Sequence, residues 1–449
     1  MTSGNSDELA RMVRSGQFKV AVYGLGYVGA ALASVWLRSG AHVIGVDKDP
    51  QVLGNARKGK THVPEPGVNE AYTEGLGEKR FLVYDDPVKA SRDSKLKIIC
   101  VPVLITDSAA DLAAVKQVAS AIGKGLKKGD VVSLNPSVPP GTTEDVVIPI
   151  LERESGLRVE NDFHMVYSPE RIYEGRAIKD IEENYPAVLA GAGPKSLESG
   201  SKLYSIVFKK GVIKLGSIVA AETEKLLEGV YRDVNIALAN EMAKFCEKIG
   251  VDFWEAREAA NSQPFCHLHK PGAGVGGACI PVYPQFLLHA AEMNRVECNI
   301  TRLARSINDS MPAYCVEQAV KLLDGADNPA QAVVTLLGLA FRGGVSDTRL
   351  SPTFKIIDEL TKRGIKEVRV HDPLVGGDPA LPQGVLLTSD LGQAVKGADL
   401  VMLVADHPEY RGLDRTILGG AAVYDGRGIL DPSRFLGAAG RFASIGKPT

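Results

Sequence analysis

The sequence predicts an α/β protein: two Rossmann-like doubly wound domains joined by a long central helix. Three observations predict it. An apolar run ending in glycines (18–23), a helical stretch (30–39) and a second apolar run closed by an acidic residue (42–47) make one strand–helix–strand unit. Residues 222–248 hold no proline and one glycine, Gly229, with apolar residues at helical spacing, so they read as one long helix. From Val333 the alternation of strand and helix begins again.

The elements follow in order. Apolar runs at 96–101, 131–134, 164–167 and 187–190 alternate with helical stretches, which argues for a parallel sheet with helices on both faces. The long helix either links two lobes and offers a dimer surface or is an ordinary core helix; its pattern suits both. The stretch 264–284 is rich in Gly and Pro yet carries Cys and His, and reads as a functional loop. Beyond it, 333–337, 367–370 and 400–404 read as strands and 354–362 as a helix, without a second G-x-G-x-x-G. The expected division is a polar leader (1–16), a dinucleotide-binding domain (17–215), a central helical region with the Cys loop (216–310) and a second α/β domain (311–449).

Composition excludes several classes. The chain has 449 residues, enough for about two or three domains, in globular proportions of 45% hydrophobic and 24% charged residues. A net charge of -2 gives no electrostatic case for nucleic acid or an anionic membrane. No apolar run approaches the roughly 20 residues of a membrane span, and residues 1–16 lack the apolar stretch of a secretion signal. The cysteines at 100, 246, 266, 279, 298 and 315 have no C-x-x-C spacing and suit a reducing cytoplasm. Cys266, His267 and His269 do not make up a four-ligand set, so no metal site is expected.

Gly24-Leu25-Gly26-Tyr27-Val28-Gly29 follows a predicted strand and opens a predicted helix, the context that turns a glycine motif into a dinucleotide site. Pyrophosphate would lie on the helix N-terminus, facing free N–H groups. Asp47 closes the next strand, where a carboxylate would hold the ribose hydroxyls and repel a 2′-phosphate. The cofactor expected is therefore NAD, although Lys48 could soften that repulsion. Cys279 stands in Gly276-Gly277-Ala278-Cys279-Ile280-Pro281, with room beside the sulfur for a ligand. A thiolate there would be a nucleophile, though a single cysteine is more often an apolar filler.

Together with the glycine loop, Ser168-Pro169-Glu170-Arg171, Ala239-Asn240-Glu241, the Gly274–Pro281 run, Gly338-Leu339-Ala340-Phe341-Arg342 and Asp347-Thr348-Arg349-Leu350-Ser351-Pro352 resemble the UDP-glucose/GDP-mannose dehydrogenase family. The likeness is strongest to the branch that oxidises UDP-N-acetylhexosamines at C6. The resemblance implies a homodimer that oxidises a sugar alcohol twice through a Cys thiohemiacetal and thioester. Cys279 would be the nucleophile, Lys225 the cation that steadies oxyanions, Glu170 and Glu174 the acidic partners, and Ser137 the hydroxyl that holds a catalytic water. Pro102, Ser137 and Arg349 would join Gly24, Gly26, Tyr27, Val28, Gly29, Asp47 and Lys48 around the cofactor. Glu170, Arg171, Lys225, Gly276, Gly277, Phe341, Arg342 and Arg427 would hold the nucleotide sugar in a UDP-binding C-terminal domain.

Departures from that family cluster at these motifs. Gly229 replaces a usual Asn, Ala278 a common His, Tyr283 a frequent acidic residue and Phe265 an expected Arg, while Asn135-Pro136 stands before Ser137. An altered sugar, a partial reaction, an epimerisation, or an NAD-binding protein without catalysis are the alternatives these changes leave open.

Overall fold

The computed structural model describes residues 6–106, 109–323, 329–435 and 441–448. The chain divides into two compact units, residues 1–227 and 228–449.

The strands of the first unit are β1 (Lys19–Tyr23), β2 (His42–Val46), β3 (Phe81–Tyr84), β4 (Leu96–Ile99), β5 (Leu104–Thr106), β6 (Ala109–Asp111), β7 (Val131–Leu134), β8 (His164–Tyr167), β9 (Ala187–Gly191) and β10 (Val212–Lys214). β5 and β6 pair as a separate antiparallel ribbon; the other eight form one sheet in the order β10-β9-β8-β7-β4-β1-β2-β3. Outward from β1 this is the doubly wound dinucleotide-binding order, extended at one edge by β9 and β10. All pairs are parallel except β8–β9. The 168–186 connection between those two strands holds only short helical turns, not the crossover helix that a parallel return needs. Central strands such as β4 and β7 are buried along their whole length, because helices cover both faces of a parallel sheet. The Ser6–Arg14 helix inserts Val13 into this core.

The second sheet comprises β11 (Val333–Leu337), β12 (Glu367–His371), β13 (Leu386–Thr388), β14 (Leu400–Leu403), β15 (Ala422–Asp425) and β16 (Phe442–Ser444), all parallel in the order β13-β12-β11-β14-β15-β16. It repeats the winding of the first. Ala239, Ala243, Phe253, Met311 and Cys315, from helices before the sheet, share its core.

One continuous helix, Ile218–Ile249, carries the chain from one unit into the other. In the second unit a buried network fastens it to the Asn299–Lys321 helix. Arg305 donates to Asp233 at 2.6 Å; Asn308 donates its amide N–H to Asp233 at 2.8 Å and accepts from Asn240 Nδ2 at 2.9 Å. Among the described residues, no helix is long and apolar enough to cross a membrane.

Candidate active site

In the first unit the chain leaves β1 and turns at Gly24, whose φ of +93° lies in the left-handed region open to glycine without steric cost. A Cβ at Gly29 would stand 1.8 Å from the Gly24 carbonyl oxygen, so helix and turn close on each other there. Gly26 is the reverse: a Cβ would meet nothing within 4 Å. Gly26 caps the Tyr27–Arg38 helix. The space in front of it therefore lies at a helix N-terminus, where first-turn N–H groups and the helix dipole favour a phosphate. Tyr27 and Val28 begin that helix, half-buried. The turn sits between β1 and β4, where the strand order reverses, the crevice in which open α/β sheets bind ligands.

Asp47 follows β2. Its Oδ2 accepts from Leu25 N at 2.8 Å and its Oδ1 from Asp49 N at 3.0 Å. A carboxylate has about four acceptor positions, so it retains capacity for two ribose hydroxyls. Lys48 is exposed beside it, and Pro102 is exposed just beyond β4. An open phosphate cradle and an anionic ribose acceptor fit NAD.

A second cluster lies beyond the ends of β7 and β8. Glu170 and Asn135 are both buried, and Asn135 Nδ2 donates to Glu170 Oε1 at 3.1 Å. The Ser133 hydroxyl donates to Asn135 Oδ1 at 2.8 Å, and the Tyr204 phenol lies within hydrogen-bonding distance of both. Burial pushes the Glu170 carboxyl up to about 7, against the Asn135 hydrogen bond and the charges of Lys225 and Arg171, which lower it. Lys225 is buried. Arg171 donates to the Pro186 carbonyl at 2.6 Å. Ser137 is half-buried in the loop after β7. Glu222, one turn before Lys225, grips the far end of that loop, accepting from Gly141 N at 2.6 Å and Thr143 N at 2.9 Å. Glu174 lies four residues past Glu170, half-buried. The structure thus gathers Glu170, Asn135, Lys225 and Arg171.

The second unit holds the cysteine loop. Gly277 donates its N–H to the Arg349 carbonyl at 2.8 Å, and a Cβ on it would press 3.0 Å from the Phe341 ring. A Cβ at Gly276 would be 2.7 Å from both the Leu350 carbonyl oxygen and Phe341 Cβ. Three separated motifs therefore meet around the backbone just before Cys279. Leu350 has φ +51°, an unusual conformation for a leucine that its surroundings must hold. Cys279 itself is exposed. Its carbonyl accepts from Val282 N at 3.0 Å and Tyr283 N at 2.9 Å, which folds the chain into the Tyr283–Met293 helix. Arg349 spends its guanidinium on Asp347. Arg342 lies over the Phe341 ring, 5.7 Å from its centroid, and Arg427 reaches Asp406 at 3.2 Å. Asp406 also accepts from Gly343 N at 3.0 Å, so both arginine loops converge beside it at this sheet's own reversal point.

Sequence reasoning passed over Asp406, Asp372 and Glu222, and noted Asn135 only as a departure. Asp372 is the counterpart of Asp47. It follows β12 and accepts from Leu339 N, Ala340 N, Leu374 N and Val375 N at 2.8 to 3.0 Å. Its acceptor positions are taken by backbone and by the buried His407 ring, 3.3 Å away, so the second unit repeats the winding without repeating the ribose-binding carboxylate. No motif marks Asp406; only its place after β14 does. Among the described residues, no three His, Cys, Asp or Glu side chains are grouped to hold a metal ion.

Comparison with known proteins agrees with these two halves. Models of the UDP-glucose/GDP-mannose dehydrogenase family match residues 18–208 as its NAD binding domain, 219–310 as its central domain and 335–432 as its UDP binding domain. A UDP-N-acetyl-D-mannosamine dehydrogenase of Pyrococcus horikoshii is 35% identical over 418 residues, 92% of this chain and 96% of that protein. An NDP-N-acetyl-D-galactosaminuronic acid dehydrogenase of Ralstonia nicotianae is 32% identical over 423 residues, 92% and 97% of the two chains. The solved structure of the UDP-D-ManNAc dehydrogenase from Pyrococcus horikoshii matches with a TM-score of 0.87 at 33% identity, covering 96% of this chain and 99% of that one.

Proposed function

The chain belongs to the UDP-glucose/GDP-mannose dehydrogenase family, and from that premise we propose which sugar it oxidises and how its own residues act. It is an NAD-dependent nucleotide-sugar dehydrogenase. The substrate class we propose is a UDP-N-acetylhexosamine, oxidised at C6 to the uronate. One observation carries this reading: Cys279 is exposed on a turn held by the Phe341 and Arg349–Leu350 segments, in a chain 30–35% identical to several proteins named as UDP-N-acetyl-D-mannosamine dehydrogenases.

NAD, when bound, supplies the hydride acceptor for both oxidations. In the first, Glu170, directly or through a water, accepts the hydroxyl proton as the C6 alcohol becomes an aldehyde. The Cys279 sulfur then bonds to the aldehyde carbon, and Lys225 stabilises the charge that develops on oxygen. A second hydride loss turns this thiohemiacetal into a thioester. Water, held by Ser137 and deprotonated by Glu170, cleaves the thioester to the carboxylate and frees the thiolate. Glu174 assists as a second acid–base group. Arg171, Arg342, Phe341 and Arg427 hold the nucleotide sugar with the Gly276–Gly277 backbone, and Arg349 borders the cofactor.

The proposed assembly is a homodimer built on the long helix. Leu227, Tyr231, Leu238, Phe245 and Ile249 are exposed on it, and at about 100° per residue they share one face. A reducing, cytoplasmic setting is proposed from the free cysteines. Turnover against a panel of UDP- and GDP-sugars tests the substrate class. The highest kcat/KM is expected for a UDP-N-acetylhexosamine; a preference for a GDP-sugar or for UDP-glucose would overturn it.

A further inference from the structure

We propose that Gly229 and Tyr283 form one interlocked pair, and that Tyr283 is a positioning residue which fixes the Cys279 turn against the long helix. The proposal rests on Cys279 being the reacting thiol.

Gly229 lies inside a helix of 32 residues, where glycine is disfavoured against alanine because it gives up more backbone freedom. Something must favour it there. A Cβ added to Gly229 would stand 2.4 Å from Tyr283 Cδ2, 3.0 Å from its Cβ and 3.1 Å from its Cγ. These atoms are the root of the ring, not a free end that could swing aside. Tyr283 is buried, begins its helix and precedes Pro284, so its backbone has little room to retreat. Its N–H is the one that donates to the Cys279 carbonyl at 2.9 Å. The helix backbone at 229, the Tyr283 ring and the Cys279 turn are therefore linked by consecutive contacts within one unit.

A tyrosine ring thus lies on bare helix backbone at Gly229.

The test is Gly229→Ala in two backgrounds, wild type and Tyr283→Ala, with Tyr283→Leu as a further background whose branched tip can move off the helix. Unfolding temperature and the site-resolved alkylation rate of Cys279 by iodoacetamide are read on the full chain. In the wild-type background Gly229→Ala lowers Tm; with the ring gone the loss shrinks or reverses, because the contacts with Cδ2 and Cγ are removed and only the 3.0 Å contact with the Cβ at 283 still opposes helix propensity. Tyr283→Ala changes the Cys279 alkylation rate by about threefold or more, and Tyr283→Phe brings it back to within about twofold of wild type. A rise in Tm on Gly229→Ala in every background overturns the interlock. An alkylation rate indifferent to Tyr283→Ala overturns the positioning role. Neither readout needs sugar turnover, so a wild-type protein that oxidises no UDP-sugar would sink the proposed function and leave this pair to be decided separately.

Discussion

Asn135 gives its amide N–H to Glu170 at 3.1 Å inside the first unit. The amide is held in that orientation by Ser133, which donates to its carbonyl. An uncharged donor at 135 favours the ionised carboxylate, whereas an acidic residue there would oppose it.

The first expectation concerns pH. Glu170 is raised from 4.5 to about 7, so kcat/KM should climb with pH along a limb centred near that value as the carboxylate forms. Glu170→Gln abolishes the limb. Asn135→Ala removes a hydrogen bond that lowers the value and moves the limb to alkaline pH by on the order of one unit. A limb unmoved in Asn135→Ala would contradict the role given to Asn135.

Stability has its own sign. The native state keeps the Glu170 proton between 4.5 and about 7 while the unfolded chain loses it. The unfolded state therefore binds fewer protons in that window, and this group destabilises the fold increasingly as pH rises through it. Glu170→Gln should be more stable than wild type at pH 8 by roughly 3 kcal/mol or less, and equal to it near pH 4. Denaturant titrations at both pH values check this.

The glycine loop separates two kinds of glycine. Gly26→Val adds carbon to open space, so the fold should persist while the Kd for NAD rises about tenfold or more. Gly29→Val has no space to enter and should cost both NAD binding and Tm. Calorimetric titration with a thermal melt distinguishes them; an unchanged Kd in Gly26→Val would place the dinucleotide elsewhere.

Asp47→Asn keeps an acceptor for Leu25 N and removes the negative charge. Discrimination of NAD from NADP should fall by about tenfold, read as the ratio of kcat/KM values. A ratio that stays put would show that Asp47 does not face the ribose.

Much of this was legible beforehand. The doubly wound halves and the long helix were, because buried strands and an unbroken helix write long, unambiguous patterns. Short edge strands such as β10 and β13, at three residues each, carry too little pattern to read. Glycine spacing located the turn at Gly24–Gly29, while the resemblance located Glu170, Lys225 and Cys279. What stayed hidden depended on contacts between distant segments. Asn135 meets Glu170 across 35 positions, and Gly229 meets Tyr283 across the whole Cys loop. Each looked like an isolated loss until the fold put its partner beside it.

The central claim is double oxidation through Cys279. The most direct measurement counts NADH released per UDP-N-acetylhexosamine consumed, by wild type and by Cys279→Ser, with the sugar product identified by mass spectrometry. The account expects two NADH and a carboxylate from the wild type, and a near-complete loss of carboxylate from the variant. One NADH per sugar with an aldehyde or ketone product, or a variant that still makes carboxylate at the wild-type rate, would contradict it.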